Sequence, residues 1–109
     1  MTIEDLQKKV DDWIKKHGVR YFNELTNMAI LVEEVGELSR HIARTFGEQN
    51  YKKDIDGKMG IKEEIGDILF VLTCLSNQMN LDLKECFNNS IKKKTLRDSL
   101  RHKKNKKLN

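Results

Sequence analysis

Two groups of carboxylates carry the densest chemical potential in this 109-residue sequence: Glu33, Glu34 and Glu37, then Glu63, Glu64 and Asp67. Glu34 and Glu37 stand three apart, as do Glu64 and Asp67, so on a helix each pair shares one face about a turn deep. Both groups sit in apolar sequence, with Ile30-Leu31-Val32 before the first and Ile68-Leu69-Phe70 after the second. Gly36 and Gly66 occupy the same offset inside the two groups. A helix prefers alanine there by roughly 1 kcal/mol, so glycine suits a place where another helix or a ligand comes very close. If the two helices pack antiparallel, four carboxylates converge near an apolar core, where they cannot all stay ionised without cations. Oxygen-only donors suit hard ions such as Mg²⁺ or Mn²⁺. Such an ion beside a phosphate polarises the phosphoryl oxygen and lowers the pKa of a bound water. The competing reading of either group alone is a solvated, glutamate-rich helix face; the matched pair favours a divalent-metal site on a helical scaffold.

The elements that must position these residues read as helices throughout. The chain has no proline, 35% charged residues and few aromatics, and no sustained period-two alternation. Thr2 with Asp5 three residues on opens a first helix that carries Leu6, Val10, Trp13 and Ile14 on one face and stops near Gly18. After a connection over 18–23, a long second helix runs from about Asn23 to Phe46, closed by Gly47 as a left-handed cap. Residues 47–60 read as a polar loop containing Gly57 and Gly60. A third helix extends to about Met79 and is apolar nearly all round in its middle, which asks for cover on more than one side and so for a subunit interface. Asn80 breaks the pattern, and a fourth helix starts near Asp82 and frays after Arg101. The expected fold is all-α: one domain over residues 1–100, an antiparallel bundle of about four helices assembled as a homo-oligomer, with a basic arm at 101–109.

Charge is unevenly spread. Residues 92–109 hold nine of the 21 basic residues and one of the 17 acidic ones, so an acidic body carries a basic end. Cys74 and Cys86 lack metal-site spacing and read as reduced thiols. The longest apolar run, residues 68–72, is too short to cross a bilayer, and no secretory leader pattern opens the chain. A cytoplasmic protein without a membrane is the expectation.

The pattern Glu33-Glu34-Val35-Gly36-Glu37, followed after 26 residues by Glu64-Ile65-Gly66-Asp67, resembles the EExxE…ExxD signature of MazG-like pyrophosphohydrolases, in the all-α NTP pyrophosphatase superfamily. The resemblance runs from the Leu6–Trp13 helix to the Lys93–Asp98 stretch. It implies Mg²⁺-dependent hydrolysis of nucleoside triphosphates between the α and β phosphates, giving the monophosphate and pyrophosphate, with Mn²⁺ able to substitute. It also implies Glu34, Glu37, Glu64 and Asp67 as metal ligands, and Glu33 or Glu63 as residues that orient water or a second ion. Relatives of this kind form dimers or tetramers whose sites draw on neighbouring subunits, so a homodimer or homotetramer is expected. By the same resemblance Asn89, Lys93 and Arg97, which share a face of the last helix, approach the substrate.

Remaining residues admit two readings each. Trp13 stacks on a nucleobase or anchors packing, and Asn27 contacts a base or sugar or is an ordinary polar position. His41, one turn beyond Glu37, touches the metal site or, lacking the Glu-x-x-His pattern of di-iron bundles, takes a supporting or surface role. The alternative function is a non-catalytic helical protein that binds nucleotides or nucleic acid through its basic end. With no aromatic after Phe87 there is no stacking platform for single strands, and nucleic acid is not the expected partner.

Overall fold

The computed structural model describes residues 1–109 as four helices without strands: α1 (Ile3–Trp13), α2 (Glu24–Phe46), α3 (Gly57–Gln78) and α4 (Leu83–Lys104). The start of α1 is fixed reciprocally: the Asp5 amide donates to Thr2 Oγ1 at 3.0 Å, and the Thr2 amide donates to Asp5 Oδ2 at 2.9 Å. Asn23, Asp56 and Asp82 cap the other three helices by accepting from amides of the first turn, each relieving one of the unpaired donors of a helix start. After Trp13 the helix widens into a π-helical turn, Ile14–Gly18, which keeps Ile14 buried. Val19 follows at φ 70° and ψ −60°, and the Arg20 amide donates to Gly18 O at 2.8 Å, closing a three-residue γ-turn.

Helices α2 and α3 form the scaffold. Asn27 faces Gln78, Glu34 faces Glu64, and Gly57 lies against Thr45, so numbers rise along one helix as they fall along the other. That is the antiparallel pairing the carboxylates require. Helix α1 and the π-helical turn pack on α3 through Val10 and Ile14 against Cys74, with Leu6, Tyr21 and Phe70 around them. A polar clasp holds the junction to α4: Gln7 Nε2 donates to Asn77 Oδ1 and Leu81 O, the Leu83 amide donates to Gln7 Oε1, and Asn77 Nδ2 donates to Gln7 O.

Three expectations differ from the structure. Gly47 is extended (φ −96°, ψ −157°) rather than left-handed; a Cβ there would meet Ala43 O at 2.5 Å, so glycine answers a close backbone approach. Helix α3 begins at Gly57, inside the span read as loop, because Asp56 supplies its cap. Helix α4 continues to Lys104 and packs on α1, standing clear of the α2–α3 pair instead of closing a bundle around it. The radius of gyration of 17.6 Å reflects this, against about 13 Å for a compact chain of this length. Ten of the 109 residues are buried, so this chain alone encloses a very small core. Val32 and Val35 on α2, and Ile65 and Leu69 on α3, stay open. No helix is long and apolar enough to cross a membrane.

Candidate metal centre

Oxygens of Glu34, Glu64 and Asp67 lie within 4.8 Å of one another at the middle of the α2–α3 seam. Glu64 and Asp67 share one face of α3 at i, i+3 and meet Glu34 across the antiparallel pairing. Glu34 and Glu64 are half-buried and Asp67 is exposed. Glu64 Oε2 is buried with no donor facing it. Without a cation, the two glutamates come to terms by sharing a proton: hydrogen bonding to Glu64 is the main reason the Glu34 carboxyl is pushed up to about 7, helped by desolvation and by the charges of Glu64, Asp67 and Glu37. An all-oxygen donor set with one orphaned lone-pair atom fits a hard divalent cation such as Mg²⁺ or Mn²⁺.

Glu37, the fourth residue of the set, lies outside this group. It is half-buried one turn along α2 and makes a 3.7 Å contact with Arg40 Nη1, longer than a hydrogen bond. Glu33 and Glu63 are exposed and are not part of the convergent group. Gly36 and Gly66 have nothing within 4 Å of an added Cβ, so no part of this chain crowds them.

One turn toward the start of α2, an apolar cavity of about 310 Å³ opens between α1, the connection and the α2–α3 seam. Trp13, Asn27 and Phe70 are among its lining residues. Trp13 is half-exposed and meets Phe70 edge to face at 5.5 Å, with the His17 ring at 5.5 Å on another side. Asn27 is buried, and its amide nitrogen donates to Gln78 Oε1 at 2.8 Å and Phe22 O at 3.2 Å. Asn89, Lys93 and Arg97 are exposed on α4. Because that helix packs on α1, the structure leaves them apart from the carboxylates, and Arg97 is already committed to Asp98 at 2.9 Å. The largest depression, about 730 Å³ along α1 and the α3–α4 junction, holds none of the carboxylate group.

At the other end of the seam is a cluster of which the sequence pointed out only His41. Arg40, His41, Arg44, Tyr51 and Lys52 line a second cavity of about 310 Å³ that begins at Glu37. Tyr51 OH lies 2.7 Å from His41 Nδ1, which pins the loop to α2. The signal was present: Arg40, His41 and Arg44 follow Glu37 at helical spacing on one face.

Residues 22–102 match the MazG nucleotide pyrophosphohydrolase domain. The uncharacterised protein YpjD of Bacillus subtilis (strain 168) is 41% identical over 97 residues, covering 89% of this chain and 86% of that protein. The crystal structure of the Bacillus-conserved MazG protein, a nucleotide pyrophosphohydrolase, superposes with a TM-score of 0.75 at 39% identity, covering 90% of this chain and 94% of the other. The crystal structure of Bacillus subtilis YpjD gives 0.76 at 41% identity, over 85% and 94% of the two chains.

Proposed function

The chain belongs to the MazG nucleotide pyrophosphohydrolase family, and from that premise we propose that it hydrolyses nucleoside triphosphates and deoxynucleoside triphosphates between the α and β phosphates. The observation that carries this reading is the convergence of Glu34, Glu64 and Asp67 within 4.8 Å, with Glu64 Oε2 left without a donor. These three residues, joined by Glu37 through a rotamer change away from Arg40, are the proposed ligands. A bound Mg²⁺, or Mn²⁺ in its place, supplies Lewis acidity at the phosphoryl oxygen and a lowered pKa for the attacking water.

The chain's own residues do the rest. Water adds to the α-phosphorus, and the bond to the α–β bridging oxygen breaks with its electron pair leaving on pyrophosphate. Glu33 and Glu63, each one residue from a ligand and facing solvent, orient that water or accept its proton. The cavity beside Trp13 and Asn27 takes the base, whose flat apolar faces suit the Trp13–Phe70 corner. Asn89, Lys93 and Arg97 reach the substrate from a second copy of the chain, seated on the apolar surface that α2 and α3 leave open. That copy also gives the small core of this chain its missing cover, in a homodimer or homotetramer. Removal of surplus or damaged nucleotides from the cytoplasmic pool is the role that such a reaction would serve.

The test is turnover by Glu64→Gln and Asp67→Asn. Each variant should fold as the wild type does and lose at least two orders of magnitude in kcat/KM with Mg²⁺ present. Wild-type rates in folded variants would remove the carboxylate site from the reaction.

A further inference from the structure

The cavity at the loop end of the seam is lined mainly by positive charge. Arg40, Arg44 and Lys52 supply three cations, and Glu37 at its inner edge is its one acid; Glu48, Asp54 and Asp56 of the neighbouring loop are not part of its lining. Arg44 is half-buried, yet neither it nor Lys52 pairs with any carboxylate, and Arg40 has only the 3.7 Å contact with Glu37. Three weakly satisfied cations around one hollow amount to an unmet demand for an anion with several oxygens, which guanidinium forks meet in pairs.

Side-chain contacts tie the walls of the hollow together. Tyr51 OH lies 2.7 Å from His41 Nδ1 and 3.3 Å from Thr45 Oγ1, so Lys52 is carried over the same face as Arg44. Gly60 lets α3 approach: a Cβ there would fall 2.6 Å from His41 Nδ1. Gly57 does the same at Thr45. Glu37, Arg40, His41 and Arg44 share one face of α2, with Arg44 about 10 Å along the axis from Glu37. The apolar cavity lies on the opposite side of the carboxylates, at Asn27 and Ile30.

We propose that this basic cavity is the pyrophosphate subsite: Arg40, Arg44 and Lys52 hold the β- and γ-phosphates of the substrate, and then the departing pyrophosphate. The assignment rests on the hydrolysis reading above and fixes the direction in which the substrate lies. The base points to the Trp13 end of the seam and the leaving group to the Arg44 end. Arg40 has a second consequence, because it contacts Glu37, the residue proposed above to join the metal group. An anion in the cavity draws Arg40 away and frees the Glu37 carboxylate.

The experiment is calorimetric titration of the full-length protein with inorganic pyrophosphate in Mg²⁺, for the wild type and Arg44→Gln/Lys52→Gln, alongside kinetics on one triphosphate. Folding is checked by circular dichroism, and Lys52→Gln alone, at an exposed unpaired loop position, serves as a variant with no structural role. The proposal predicts that the pyrophosphate Kd and its inhibition constant rise at least tenfold in the double variant and severalfold in the single one. The KM for triphosphate rises with them, while inhibition by the nucleoside monophosphate is unchanged. Equal pyrophosphate binding by wild type and double variant, or a parallel loss of monophosphate binding, overturns it. If the wild type turns over no nucleotide but its pyrophosphate binding depends on Arg44 and Lys52, the hydrolysis reading falls and the anion subsite stands. Turnover with pyrophosphate binding untouched by the substitutions gives the reverse.

Discussion

Glu34 and Glu64 face each other across the α2–α3 seam with Asp67 beside them, and their closeness has a price in stability that pH should expose. The Glu34 carboxyl titrates near 7 in the folded chain instead of near 4.5, chiefly because a proton shared with Glu64 is lost on ionisation. A raised folded pKa means the native state binds the proton more tightly than the unfolded one. The metal-free protein is therefore favoured below about pH 4.5 and loses that contribution as pH climbs through 7. Thermal denaturation in EDTA should show a lower midpoint at pH 8 than at pH 6, with Mg²⁺ restoring it at pH 8. Glu64→Gln should flatten the pH dependence and abolish the Mg²⁺ effect; a variant that keeps both would contradict the shared-proton account. This convergence was legible in the sequence, since two i, i+3 pairs in apolar helices have few other ways to meet. The separation of Glu37 was not. It depends on Arg40 one turn on, a surface pair whose geometry no spacing rule fixes.

At the scale of elements, the caps and the 3.6-residue period told where helices lie, and Thr2, Asn23, Asp82 and Asn80 mark ends that the structure respects. Turn geometry was less readable. Val19 sits at φ 70°, where a β-branched residue is strained, yet the residue is 87% exposed and has little packing to offset the strain. Val19→Gly should raise stability by about 1 kcal/mol, read as a higher denaturation midpoint; an unchanged or lower midpoint would mean that the γ-turn is held at no cost. The opposite sign is expected at Gly60. Its replacement by alanine sets a methyl against the His41 ring and should cost about 1–3 kcal/mol, with a loss of turnover because the same contact sets the spacing of α2 and α3. Gly60 and Gly57 looked like loop residues in the sequence because glycine signals both turns and close helix approach; only the facing residues, His41 and Thr45, distinguish the two.

For the whole molecule, the decisive fact is how little this chain buries. Its core gathers around Val10, Ile14 and Cys74, while α4 stands off to one side. The sequence announced the apolar circumference of α3 but not that α4 would decline to cover it, because the Gln7–Asn77–Leu83 clasp that directs α4 toward α1 is made of residues 70 or more positions apart. If a second copy supplies the cover, light scattering should give a multiple of 12.8 kDa and the denaturation midpoint should rise with protein concentration. Val32→Asp, on the open face of α2, should shift the protein toward monomer and lower turnover with it. A fully active monomer would remove α4 of a partner from the site.

The most direct test of the central claim is hydrolysis of a nucleoside triphosphate in ¹⁸O-water with Mg²⁺, followed by mass spectrometry of the products. Attack at the α-phosphorus beside Glu34, Glu64 and Asp67 predicts one ¹⁸O in the nucleoside monophosphate, none in the pyrophosphate, and no products in EDTA. Label in the pyrophosphate, release of nucleoside diphosphate and inorganic phosphate, or turnover indifferent to EDTA would contradict it.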